Sequence, residues 1–421
     1  MKLSRAEKIQ QLTKLYHEKK FLDLARTAKN FTDEDDSSAQ LWNFLALGYR
    51  YTGETNRSIS IYENLLVKNP TNFLLNANAG NLFLSIGRIK DAIKCFELAL
   101  SKDPKHTATI VSFGIALTNE GKTDRAKLCF EKVLELEPSN EIAHFRLGRI
   151  LQLAEDFVGA AKHYDNTNYD LSKTHQLECY YLANDKDLYF EKFSHVVKNT
   201  PSNPLMSTIA CHAAIRFGRK EENPFCNEPM NYVFKTAITS NDGLTSKLID
   251  NIIKIKETTD LKTQPLLNKG AQSSGNLFLK QDPEIVKLRE ILEKKIFEYR
   301  TNFSNSTEGF IQNWPKSFSL FGWLVSIKSG GTLKAHMHRE GWLSGSIYLK
   351  MPKKQSKSEG NILFGLEGSY YPSEGKNYPE KEYEVNERNL VLFPSSLYHQ
   401  TLPFSNDEDR ISFAFDVIPN K

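Results

Sequence analysis

The sequence predicts two architectures in series: an all-α solenoid of paired helices over residues 1–220, then a β domain with flanking helices over 221–421, its strands filling about 316–421. Three observations carry this reading. Small residues, glycines and aromatics recur at a fixed spacing of 34 residues through the first half. Beyond Phe318, short runs of β-branched and aromatic residues alternate with polar loops. Between the two, "RKEENPFCNEPMNY" clusters proline, asparagine and charge, as a domain entrance does.

A chain of 421 residues is long enough to bury cores that need no disulfide or metal staple. With 40% hydrophobic and 25% charged residues and a net charge of +4 spread along the chain, neither nucleic acid nor an anionic membrane is an expected partner. Five widely spaced cysteines without a C-x-x-C pair read as reduced thiols. The polar N-terminus and the lack of a long apolar run support neither a signal peptide nor a membrane span, so the expected location is the cytoplasm.

In the first half, small residues stand at Ala46, Gly80, Gly114 and Gly148, and again at Ser58, Ala92, Ala126 and Ala160. Gly53, Gly87 and Gly121 mark turns, with Glu155 breaking the series. Aromatics stand at Tyr62, Phe96, Phe130 and Tyr164, and prolines close units at Pro70, Pro104 and Pro138. Small residues let two helices approach closely while the aromatic fills the space between neighbouring pairs, so each unit reads as two amphipathic helices. The pattern resembles the tetratricopeptide repeat over residues 38–171, with a degenerate pair before it and a shortened one, closed by Pro201, after it. That resemblance implies a groove that takes a protein or peptide partner; a dimerisation or spacer arm is the other use such a stack has.

In the second half, one helix is expected at 243–256 and another from Asp282–Pro283, an N-cap followed by a first-turn proline. Strand runs follow: "SFSLFGWLVSIKSGG", "GWLSGSIYLKM", "GNILFG", "KEYEVN", "RNLVLFPSS" and "RISFAFDVI". Six short strands in so little chain point to a sandwich or barrel.

Within "GGTLKAHMHREGWLSGSIYL", His336 and His338 share a strand face, because alternate residues of a strand point the same way. A third imidazole, His399, follows a proline turn, and Arg410 opens the last strand with Ser412 on its face. A pair of histidines alone is a weak sign of metal. Three in the β region, with a guanidinium suited to bidentate carboxylate binding, make a stronger one.

Residues 265–421 resemble the 2-oxoglutarate/Fe(II)-dependent oxygenases found behind tetratricopeptide repeats, on "GAQSSGNLF", the two-histidine segment, "GNILFG", "NLVLFPSSLYHQTLPF" and "RISFAFDVIP" in that order. The resemblance implies a double-stranded β-helix (jelly roll) with Fe(II) and 2-oxoglutarate. His336 and His399 are then imidazole ligands. The third ligand is His338, standing where most of these oxygenases carry a carboxylate, or else the nearby acid Glu340. Arg410 is implied to hold the far carboxylate of 2-oxoglutarate, helped by Ser412 or Tyr348, and Trp342, Phe393 and Phe413 are expected walls of the pocket. Hydroxylation of a C–H bond is the implied outcome.

Arg339 stands where the family usually has proline, and Tyr398 and Gln400 flank the distal histidine in place of tryptophan and glycine. Two other readings remain open at this point. "GGTLKAHMH" also fits the opening of a cupin metalloenzyme that uses no 2-oxoglutarate, and a β domain without iron would leave a repeat scaffold.

Overall fold

The computed structural model describes every residue except Met1, Lys2, Asp170, Pro201, Asp260, Gln281, Ser369 and Lys421, so the expected closing proline at 201 lies outside the described residues. Two compact units divide at Gln176/Leu177. This falls well before the expected boundary at 220. The reason is packing: Leu205, Met206 and Ile209, from the segment expected to close the solenoid, share one apolar cluster with Tyr371 and Tyr398 of the β domain.

The first unit contains five helix pairs: α1 (Arg5–His17) and α2 (Phe21–Glu34), α3 (Ala39–Tyr51) and α4 (Thr55–Lys68), α5 (Phe73–Ser85) and α6 (Ile89–Leu100), α7 (Thr107–Asn119) and α8 (Thr123–Leu136), α9 (Glu141–Leu153) and α10 (Phe157–Asp165). The repeated residues do what their spacing implies. A Cβ at Gly80, Gly114 or Gly148 would stand 2.6, 2.8 or 2.8 Å from the ring of Phe96, Phe130 or Tyr164, so only a hydrogen fits where the two helices of a pair meet. Between the paired helices the chain turns through left-handed backbone at Gly53, Gly87 and Gly121, with φ of 86, 78 and 78°. Lys19 and Glu155 adopt the same conformation at 56 and 61°, which carries the register one pair further at each end without glycine.

The second unit begins within α11 (Ser172–Leu182) and continues through α12 (Lys186–Asn199) and α13 (Pro204–Phe217). Then come β1 (Phe234–Ala237), α14 (Ser246–Thr258), β2 (Leu261–Lys262), β3 (Leu267–Ser273), α15 (Pro283–Asn302) and α16 (Gly309–Gln312). The remaining strands are β4 (Phe318–His336), β5 (Leu343–Lys350), β6 (Ile362–Gly365), β7 (Glu380–Tyr383), β8 (Asn389–Pro394), β9 (Tyr398–Thr401) and β10 (Arg410–Pro419). They form one curled antiparallel sheet in the order β1-β8-β5-β10-β4-β9-β6-β7, with β3 also on β4 and β2 on β3. This is a jelly roll with flanking helices.

The long strand β4 makes the curl. Its first half pairs with β10 from Phe318 to Ile327, and its far end pairs with β9, where His336 lies opposite His399. Gly330, at φ 68°, sits between the two halves. Strict alternation separates the faces: Ile411, Phe413, Phe415 and Val417 of β10 join Leu288 and Leu292 of α15 in the main core, while Arg410, Ser412, Ala414 and Asp416 face the interior cavity. Among the described residues no helix is long and apolar enough to cross a membrane.

Candidate metal centre

The curled sheet encloses a cavity of about 220 Å³. Its lining includes His336, His338, His399, Arg410, Ser412 and Asp416. One ring nitrogen from each histidine lies within 4.8 Å of the other two. His336 and His399 stand opposite across the β4–β9 ladder with ring centroids 4.2 Å apart. His338 lies two residues on, just past the strand end, 5.2 Å from the His336 ring and 5.0 Å from that of His399. Met337, between them, points away into the apolar cluster of α12 and α13.

Each imidazole is held through Nδ1. His336 Nδ1 donates to the Lys334 carbonyl at 2.8 Å, and His399 Nδ1 to the Leu397 carbonyl at 3.3 Å. His338 Nδ1 donates to Asp416 Oδ1 at 2.6 Å, and Ser344 Oγ donates to the same oxygen at 2.6 Å. Ser344 in turn meets Ser395 Oγ at 2.7 Å. A proton on each Nδ1 leaves Nε2 with its lone pair free, the tautomer that a metal ligand needs. Burial, then the neighbouring His338, pushes His336 down to about 4; burial, then His336 and His338, pushes His399 further down. Those two rings are therefore neutral and available to a cation.

The three nitrogens fit a first-row divalent ion chemically. Bonds of about 2.1 Å at right angles need nitrogens about 3 Å apart. The 4.8 Å envelope is wider than that, so binding draws the rings together. Glu340 is exposed in the turn after β4 and does not join the cluster.

Arg410 is 2% exposed. Its Nε donates to the Gly360 carbonyl at 3.0 Å, and its guanidinium lies 4.8 Å from the centre of the Tyr348 ring. Among the described residues no carboxylate pairs with it. A buried cation without a counter-anion is expensive, and burial accordingly lowers its pKa. The Tyr348 hydroxyl, near Ser346 and Arg410, is buried and makes no hydrogen bond of full geometry. Together with Ser412 they form a pocket end that lacks a carboxylate and would accept one.

Of the expected walls, Phe393 lines the cavity. Trp342 does not: it stands just before β5, its Nε1 donates to the Phe310 carbonyl at 2.7 Å, and its ring packs edge-on against Phe225 in the main core. Phe413 likewise packs on Phe278. Trp323 and Asp416 were not anticipated as lining residues. Asp416 was findable, since it continues the alternation of Arg410, Ser412 and Ala414.

A jelly roll that gathers three imidazoles and a buried arginine around one cavity is a domain of a kind that could hold a metal ion. Residues 322–416 match the family model described as "Putative 2OG-Fe(II) oxygenase", and residues 75–106 and 112–169 match tetratricopeptide repeat models. The chain thus joins tetratricopeptide repeats to a domain of that oxygenase family. Among curated proteins none matches the chain.

Solved structures similar to part of this chain include the following three. A Pseudomonas aeruginosa pilF structure is 18% identical with TM-score 0.43, covering 48% of this chain and 94% of its own. A tetratricopeptide repeat protein from Parabacteroides merdae is 12% identical with TM-score 0.41, covering 51% and 87%. MamA from Desulfovibrio magneticus RS-1 is 17% identical with TM-score 0.35, covering 38% and 92%.

Proposed function

We propose that the second unit is an Fe(II)- and 2-oxoglutarate-dependent dioxygenase of the hydroxylase type, and that the repeats recruit its protein or peptide substrate or a partner. The observation that carries this is the meeting of three imidazoles and an uncompensated buried arginine in one cavity. His336, His338 and His399 hold the iron through Nε2. Arg410, assisted by the Ser412 and Tyr348 hydroxyls, takes the distal carboxylate of 2-oxoglutarate and so fixes its orientation. When bound, iron supplies oxygen activation coupled to decarboxylation of the 2-oxo acid, with oxygen inserted into a substrate C–H bond. Asp416 holds His338 in one tautomer, and Trp323, Val325, Ile362 and Phe393 keep bulk water from the reacting atoms.

The test is anaerobic addition of Fe(II) and 2-oxoglutarate to purified protein. A weak visible charge-transfer band, abolished by Arg410→Ala, is expected. The three-imidazole set without an acid favours a second reading, a cupin-type metalloenzyme that uses no 2-oxoglutarate. Metal uptake indifferent to Arg410 and to 2-oxoglutarate would select it. No metal uptake at all would leave a repeat scaffold. Succinate release in the presence of a partner captured by the repeats tests recruitment.

A further inference from the structure

Helix α11 lies outside the residues that match the oxygenase family, yet its Glu178 reaches the histidine-bearing segments. The Glu178 side chain is 0% exposed. Its Oε1 and Oε2 accept from the two terminal nitrogens of Arg339 at 3.0 and 3.3 Å, and Oε1 also accepts from the Tyr371 hydroxyl at 2.8 Å. Arg339 directly follows His338 in the chain. Tyr371 packs edge-on against Tyr398 with ring centroids 6.1 Å apart, and Tyr398 directly precedes His399. One carboxylate therefore braces both segments from which the imidazoles project.

Charge gives the brace a second effect. Arg339 brings a cation to the residue after His338, and with its side chain 32% exposed solvent screens that charge only in part. Burial alone would lower the Arg339 pKa, but Glu178, followed by Tyr371, Tyr370 and Tyr398, together more than offset this and the guanidinium stays charged. The ion pair as a whole is neutral. Without Glu178, an unpaired positive charge would stand on the residue after His338 and oppose an incoming metal ion.

We propose that Glu178 is a positioning residue of the metal centre, steadying the His338 and His399 segments and cancelling the Arg339 charge. The proposal rests on the metal-binding reading above. Its test is titration of the full chain with Co(II), read by the visible ligand-field spectrum well below each variant's melting midpoint. Glu178→Gln should weaken Co(II) binding about tenfold, in the range typical for groups behind metal ligands. Adding Arg339→Met should restore part of that loss, because the orphan cation is gone while the brace is still missing.

Glu178→Asp, which keeps the charge but withdraws the carboxylate, should bind several-fold more weakly than wild type and serves if Glu178→Gln does not fold. Wild-type affinity in both single variants would overturn the positioning role and leave the metal centre standing. A double variant that recovers nothing would overturn the charge balance. No uptake by wild type would overturn the metal reading and this proposal together.

Discussion

His338 Nδ1 and Asp416 Oδ1, 78 residues apart in sequence, share a 2.6 Å hydrogen bond at the back of the three-histidine cluster. On the proposed reading, the place where the family resemblance implies a carboxylate ligand is filled by an imidazole with a carboxylate behind it. Replacing Asp416 by Ala removes that acceptor and leaves Ser344 unable to hold the ring alone. Metal affinity should fall about 10- to 100-fold, as for other groups behind metal ligands. Equilibrium dialysis against Fe(II) under argon measures it.

The third ligand is decided by a pair of variants. His338→Ala should abolish stoichiometric iron binding, while Glu340→Ala, in the exposed turn, should leave it within about twofold of wild type, on the usual smallness of surface effects. Iron per chain after desalting distinguishes them.

Arg410→Met should raise the Kd for 2-oxoglutarate at least 100-fold while the metal-free protein melts no lower than wild type. The sign follows from removing a buried cation that has no anionic partner. In wild type, 2-oxoglutarate with metal at 100 times its Kd should stabilise the fold by about 2.7 kcal/mol, and this protection should vanish in the variant. Calorimetric melting with and without ligand gives both readings.

Gly114→Ala tests the repeat packing. Helix propensity favours alanine by about 1 kcal/mol. A Cβ 2.8 Å from the Phe130 ring opposes it, at about 1–3 kcal/mol for overpacking. Net destabilisation is expected, and pairing the change with Phe130→Leu should return part of it. Urea unfolding followed by helical circular dichroism resolves the difference.

Acid should weaken the second unit through His212 of α13. Its ring is buried against Tyr378, with the Tyr181 hydroxyl 2.5 Å from Nδ1, and burial, then Arg216, pushes it from 6.5 down to about 4. The unfolded chain takes up this proton first, so stability present above pH 6.5 is lost as pH falls toward 4, by up to about 1.4 kcal/mol per pH unit for this group. His212→Phe should make the melting midpoint less steep over that window by this share.

The repeat register was legible because each of its positions answers a local demand, a hydrogen at Gly114 or a left-handed turn at Gly121. The three histidines were legible because β alternation puts His336 and His338 on one face. Strands β1 to β3 gave no comparable pattern: β1 has four residues and β2 two, and their pairing with β8, β3 and β4 is a property of the fold and not of local periodicity. Glu178 was illegible for the same reason, since only the packing of α11 on the β domain brings it to Arg339. The position of the unit boundary went the same way: α12 and α13 look like further solenoid helices, and only their long-range contacts assign them to the β domain.

Strand β4 serves the sheet on both sides of the curl, with β10 fixing its start and His399 its end. That makes its length a ruler. Deleting one residue between Ile327 and Leu333 would turn Met337 into the cavity and both histidines out of it, since each side chain changes face with a one-residue slip. Drift in length is absorbed easily by the loop from Pro352 to Gly360, but in this strand every change of length is a change of chemistry.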